Sequence, residues 1–290
     1  MGALINFDGL ADVCNNLIDK LSCAVGWIAN RETPNKTALD SYIKEIQASE
    51  YDSLTKAALI SNAKKTIKEY INQHNIYEIA TQSLLPSAKP EDVDEDWLAQ
   101  FMDKARLVSS SDFQILWGNI LAEECNVPGS VPKALLHIME QMDRSVAEGF
   151  MKLAAISVRW EDNGIHGCCP VFFSNENREY YDGKGVNYEL LVELQSMGLI
   201  ETSIGLFSPS YTESFESTTS IQYFDQEYIL PEGENSITMG DVIYTKAGQA
   251  LCLAVQPEKI PDFLTEHCIP VWEKRYSEKK AENKESRVKI

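Results

Sequence analysis

The stretch NYELLVELQSMGLIE (187–201) and the later YTKAGQAL (244–251) decide how the chain is read. Asn187 precedes Leu190, Leu191, Leu194 and Met197 at helical spacing, and its side chain is suited to cap a helix. Gly198 supplies the left-handed stop. Leu199-Ile200-Glu201 reads as a strand, Asp241-Val242-Ile243-Tyr244 as a second, and Thr245 caps a helix through Ala250, Leu251, Leu253 and Val255. Between the strands lies a Ser/Thr/Gly/Tyr-rich stretch with an alternating segment near Ile221–Leu230. Helix, strand, hairpin, strand, helix is the order of a winged-helix-like module, in which the helix before the hairpin enters the DNA major groove.

The charge of this module argues against DNA. Residues 188–197 carry Glu189 and Glu193 and no Lys or Arg. Residues 201–240 carry Glu201, Glu213, Glu216, Asp225, Glu227, Glu232 and Glu234, again with no Lys or Arg. Phosphate contacts supply most nucleic-acid affinity, so such a surface repels a duplex. The whole 290-residue chain repeats the bias, with 26 Lys+Arg against 44 Asp+Glu and a net charge of −18. The module is expected to contact protein instead.

Upstream of it the pattern is helical. Residues 4–29 read as one amphipathic helix with Leu10, Cys14, Leu17, Leu21, Val25 and Ile28 on a stripe, preceded by Leu4, Ile5 and Phe7 and broken by Arg31 to Asn35. That stripe docks on protein or, alternatively, contacts a membrane. Its polar face offers Asp8, Asp12 and Asp19 against Lys20, whereas a membrane-seeking helix carries cations there. Residues 37–85 read as two or three helices, with Lys64, Lys65 and Lys68 as a solvated face. Pro86 and Pro90 punctuate a linker. The acidic run Glu91 to Asp96 suits a helix N-terminus, where free N–H groups carry partial positive charge. Ser110 or Ser111, and then Asp143 or Ser145, are further caps, and Glu123-Glu124 at a helix C-terminus invites a partner such as a salt bridge. Near 160–164 the periodicity stops at Asn163-Gly164, and Tyr180 to Gly185 reads as a turn. Residues 273–290 hold seven basic and four acidic residues, a solvated extension or tail.

The expected fold is therefore α+β and mainly α: an N-terminal helical bundle followed by a winged-helix-like α/β module. The expected divisions are 1–36, 37–162, 163–272 and 273–290. Hydrophobic residues at 44% and charged residues at 24% are those of a globular chain. Seven cysteines, an odd number with no Cys-x-x-Cys pair, fit reduced thiols, and no signal peptide or transmembrane run is visible, so a cytoplasmic setting is expected.

No catalytic, cofactor-binding or metal-binding residue stands out, and no cofactor is expected. His166-x-Cys168-Cys169 is the one compact group of soft ligands, but adjacent cysteines on a strand point to opposite faces. His267-Cys268 is likewise adjacent. Nucleophile elbow, Walker A loop, Rossmann glycines and His-Glu-x-x-His are all missing from the sequence.

One resemblance adds to this. Asp96-Trp97, Phe101, Lys104-Ala105-Arg106, Ser109 to Asp112, the run Gln114 to Glu124 with Trp117-Gly118 inside it, Pro128-Gly129, Asp143 and Phe150 resemble a bacterial family known as domain of unknown function 2806. The same pattern is similar to the related alpha family of abortive-infection proteins. The clear match covers residues 91–155. The resemblance implies a prokaryotic cytoplasmic protein linked to phage defence, and it carries over no catalytic residue. The leading expectation is a non-enzymatic, protein-binding component of an anti-phage defence system, with a protein partner or self-assembly. The alternatives are a membrane-acting effector using the N-terminal helix and an enzyme whose site, tested at His166 and Cys168, assembles from distant segments.

Overall fold

A computed structural model describes residues 7–28, 36–203 and 210–288. The protein is α+β, 60% helical and 14% strand. It divides into two compact units between Glu140 and Gln141. The change of sequence texture at 160–164 coincides instead with the turn of the first hairpin of the second unit. Leu4, Ile5 and the Arg31 to Asn35 break lie outside the described residues.

The first unit is helical: α1 (Phe7–Val25), α2 (Lys36–Ala48), α3 (Ser53–Ser83), a 3₁₀ turn (Pro90–Asp92), α4 (Glu95–Ala105), α5 (Ser111–Asn126) and α6 (Lys133–Gln141). Residues 37–85 thus form two helices. Val13, Leu17 and Leu21 recur every four residues on α1 and are buried, the two leucines completely, where α1 packs on α4 and the 3₁₀ turn. Val25 and Ile28, at the end of the expected stripe, are exposed. Lys20 Nζ donates to Glu91 O at 3.2 Å and pairs with Glu95 at 3.5 Å, fixing the docking. Because the apolar stripe of α1 is spent inside this unit, Leu17→Ala and Leu21→Ala are each expected to cost about 2–5 kcal/mol, read by denaturant unfolding of the full chain.

The longest packing contact of this unit runs between α3 and α5. Gly118 makes it possible, since a Cβ there would lie 2.5 Å from Ile79 Cγ2. Trp97 stacks on Phe101 at 5.1 Å, and Phe101 meets Trp117 at 5.2 Å. Asn72 Nδ2 donates to Arg106 O at 2.8 Å and Gln114 Nε2 to Val108 O at 2.9 Å, so two buried amides satisfy the turn between α4 and α5.

The second unit comprises α7 (Arg144–Ala155), β1 (Ser157–Asp162), β2 (Ile165–Pro170), α8 (Ser174–Gly183), α9 (Tyr188–Ser196), β3 (Ile200–Thr202), β4 (Tyr211–Ser214), β5 (Ser220–Tyr223), β6 (Gln226–Ile229), β7 (Ser236–Gly240), β8 (Val242–Tyr244), α10 (Lys246–Ala254), a π turn (Phe263–Cys268) and α11 (Ile269–Val288). The strands form three antiparallel sheets, ordered β2-β1-β5-β6, β3-β8 and β4-β7. The β1–β2 hairpin turns at Asn163 (φ 52°) and Gly164 (φ 78°), both left-handed as a two-residue turn requires. Tyr180 to Gly185, expected as a turn, is mostly the end of α8; only Gly185, at φ 77°, is left-handed. Helix α11 is anchored at its start, where Trp272 Nε1 donates to Thr238 O at 2.8 Å and Tyr276 Oη to Ser236 O at 2.7 Å along β7. Tyr223 Oη accepts from Ile260 N at 3.0 Å and donates to Ala155 O at 2.9 Å, joining β5, the end of α7 and the chain before the π turn.

Candidate protein-contact surface

Local chemistry places α9 as expected. Asn187 Oδ1 accepts from Leu190 N at 3.0 Å, and Gly198 stops the helix at φ 77°. Leu190, Leu191 and Leu194 face inward. They approach α7 closely, because Gly149 leaves room for Leu190: a Cβ there would sit 2.3 Å from Leu190 Cδ1. Antiparallel pairing of Ile200 with Tyr244 and Thr202 with Val242 joins β3 to β8. Thr245 then caps α10 through Gly248 N at 3.1 Å and donates its hydroxyl to Gly198 O at 2.7 Å. One threonine therefore ties the end of α9 to the start of α10.

The outer face of α9 is mixed. Tyr188 is 59% exposed and Val192 46%, one helical turn apart, with Glu189 and Glu193 exposed beside them. Downstream, Glu201, Glu216, Glu227 and Glu232 are exposed. Asp225 pairs with Lys259, and Glu234 pairs with Lys279 at 2.7 Å. Glu213 is half-buried, and desolvation raises its pKa above the usual carboxylate range. Most of the seven acids thus remain on the surface. Asp162 organises the loop ahead of β5: its carboxylate accepts from Glu216 N and Ser217 N at 2.8 Å and from Thr218 N at 3.0 Å. These bonds hold its pKa far below the usual value.

The soft ligands do not converge. His166 is exposed, 4.0 Å from Glu161. Cys168 and Cys169 are buried on opposite faces of β2: Cys168 Sγ lies 3.6 Å from Gln249 O of α10, Cys169 Sγ 3.8 Å from Val242 O of β8. Burial pushes the Cys169 thiol well above its ordinary pKa, and a buried neutral thiol is a poor nucleophile. His267 stacks on Tyr180 at 3.6 Å, and burial lowers its pKa. Cys268 is buried. Among the described residues no three His, Cys, Asp or Glu side chains gather as a metal site would require.

The carboxylates that precede β1 also have structural partners. Asp94 caps α4 by accepting from Trp97 N at 2.8 Å, and Lys133 sits 2.9 Å away; both hold its pKa down. Asp143 caps α7 through Val146 N at 3.0 Å. Ser110 is the residue before α5, but its side chain makes no capping bond. Glu124 is buried, and among the described residues it has no salt bridge. Its two oxygens accept from Gly129 N at 2.8 Å and Val131 N at 2.9 Å, closing the loop after α5. Desolvation raises its pKa while those N–H bonds oppose the rise.

Together these observations define a class: a two-unit α+β protein with a helical first unit and a second unit of small antiparallel sheets, presenting an acidic, partly apolar face. The family described as "Protein of unknown function (DUF2806)" matches residues 61–267, well over half of the chain, and the chain belongs to that family. No curated protein and no solved structure matches it. No helix among the described residues is long and apolar enough to cross a membrane.

Proposed function

We propose that this protein is a non-catalytic component of a bacterial anti-phage defence system of the abortive-infection type, and that it binds a protein partner through the outer face of α9. The observation that carries the binding reading is the exposed pair Tyr188 and Val192 framed by Glu189 and Glu193. Apolar contact area inside a charged rim is the anatomy of a protein interface. The order α9, β3, inserted strands, β8, α10 supports a winged-helix-like module whose recognition helix has been given over to protein. Its acidity opposes a polyanion. The defence assignment rests on reading residues 91–155, from the sequence alone, as resembling the alpha family of abortive-infection proteins.

The test is a plaque assay on cells carrying the intact system. Phage plating is expected to fall in its presence, and the double variant Tyr188→Glu, Val192→Glu is expected to restore it while leaving the melting temperature unchanged. Both side chains are outside the core, so surface substitutions there cost within about 0.5 kcal/mol. Equal plating with and without the system overturns the defence reading. Protection undiminished in the double variant overturns the α9 surface. The membrane-effector alternative requires α1 to be released, because Leu17 and Leu21 are covered within the first unit.

A further inference from the structure

Charge is unevenly placed in this chain. Residues 53–68, the first half of α3, hold Lys56, Lys64, Lys65 and Lys68 and no Asp or Glu, although the net charge of the whole is −18. This half of the helix stands clear of the core: between Ser53 and Ile71 only Ala63 is buried. Lys56 lies on the side where α2 packs, and its Nζ donates to Gln47 O at 3.0 Å. The opposite side is open. Leu54, Ala58, Ser61, Lys65 and Lys68 recur there at three- and four-residue spacing with Lys64 beside them, and all six are exposed. Lys65 lies 3.9 Å from Glu69. Lys64 and Lys68 have no carboxylate within 4 Å among the described residues.

The outer face of α9 is the complement of this surface. Glu189 and Glu193 are exposed one turn apart and make no ion pair among the described residues. Lys64 and Lys68 have the same four-residue spacing, about 6 Å on a helix surface, so two helices lying side by side can form both pairs in one register. Bulk is complementary too. Beside its glutamates α9 presents the large Tyr188 and Val192, and beside its lysines α3 presents the small Ala58 and Ser61. Large side chains set against small ones let two helices approach to about 8–10 Å. Like charges would meet if α9 faced α9 or α3 faced α3, which selects a contact between unlike faces.

We propose that the partner received by α9 is a second copy of this chain, docked through the open face of α3. Glu189 and Glu193 of one copy pair with Lys64 and Lys68 of the other, and Tyr188 and Val192 pack over Ala58 and Ser61. The inference rests on the partner-binding reading of α9 and names the partner.

The test is sedimentation equilibrium of the full chain in about 150 mM salt, where a Debye length of about 8 Å screens the repulsion between two acidic bodies but spares contact pairs. The mass is expected to rise above that of one chain with a midpoint at or below about 100 μM. Two charge reversals decide the faces: Lys64→Glu with Lys68→Glu, and Glu189→Lys with Glu193→Lys. All four side chains are exposed, so both variants are expected to keep the circular dichroism of the parent. Each alone is expected to weaken assembly at least about tenfold, and an equal mixture of the two to restore it, because each reversed face then meets its new complement. Glu189→Gln with Glu193→Gln, which preserves shape, is expected to weaken assembly by at least about threefold and keeps the α9 arm readable if its reversal unfolds the helix. A parent that stays a single chain, undiminished assembly in either reversal, or a mixture that fails to recover overturns the proposal. Phosphatidylglycerol vesicles bound by a single-chain parent but not by Lys64→Glu with Lys68→Glu would overturn it in favour of a lipid surface for α3. If the parent is a single chain and Tyr188→Glu with Val192→Glu still restores phage plating, self-docking alone has failed and α9 belongs to a different protein.

Discussion

Gly248→Ala is expected to destabilise the second unit by about 3 kcal/mol or more, although helix propensity alone predicts a gain of about 1 kcal/mol. The two expectations have opposite signs, which makes the substitution decisive. Gly248 lies in α10, where alanine is ordinarily the better residue. An added Cβ, however, would lie 1.9 Å from Leu199 O and 2.9 Å from Tyr244 Cδ1. Leu199 O is not free to retreat, because it already accepts from Thr245 N at 3.0 Å and leads into β3. The obstacle is backbone rather than the flexible end of a side chain. Relief therefore requires α10 to lift from β3 and so to strain the bonds from Thr245 to Leu199 O and Gly198 O. Thermal unfolding of the full chain, followed by near-ultraviolet circular dichroism, reads the effect. A melting temperature equal to or above that of the parent would remove the close approach of α10 to β3 from the account of this fold.

That glycine also marks how much was legible in the sequence. Caps and stops are local, so Asn187, Gly198 and Thr245 could be assigned from their neighbours, and each does what its position suggests, while of the two candidates Asp143 and Ser145 it is Asp143 that caps α7. The strands β3 and β8 followed because they are bounded by these signals. Where the deciding partner is remote, the sequence carried no mark. Helix α8 is polar and ends at Gly183, and its one deeply buried tyrosine, Tyr181, is held by contacts with Phe172 and Phe173 N. Read alone, that stretch looks like a turn. Glu124 was expected to find a cation. It finds two backbone N–H groups five and seven residues on, which neutralise no charge but satisfy both oxygens. The acids after α9 were visible as composition, yet only the structure separates Glu213, half-buried, from Glu201, Glu216, Glu227 and Glu232 on the surface.

Gly240→Ala is expected to be at least as damaging, about 4 kcal/mol or more, for two separable reasons. Gly240 has φ +105°, a region that side-chain-bearing residues rarely adopt. Its absent Cβ would also lie 2.0 Å from Phe172 O and 2.5 Å from Phe172 C. At this point the end of β7 meets the chain leaving β2: Phe172 N donates to Met239 O at 2.9 Å, and Asp241 N to Phe172 O at 2.7 Å. The next side chain, Asp241, is buried and accepts from Ser174 N at 2.9 Å and Ser210 Oγ at 3.0 Å, so the same junction holds the start of α8. Displacing Phe172 to admit a methyl group would break these bonds together. Gly233→Ala supplies the control, since Gly233 has φ +82° with nothing within 4 Å of the added Cβ. It is expected to pay only the conformational term, about 1–2 kcal/mol. Denaturant midpoints of both variants, measured on the full chain, separate strain from collision. Equal losses in the two would mean that the approach of Phe172 contributes nothing and that the φ angle alone accounts for the glycine; a clear excess at position 240 assigns the difference to the junction that links β2, β7 and α8.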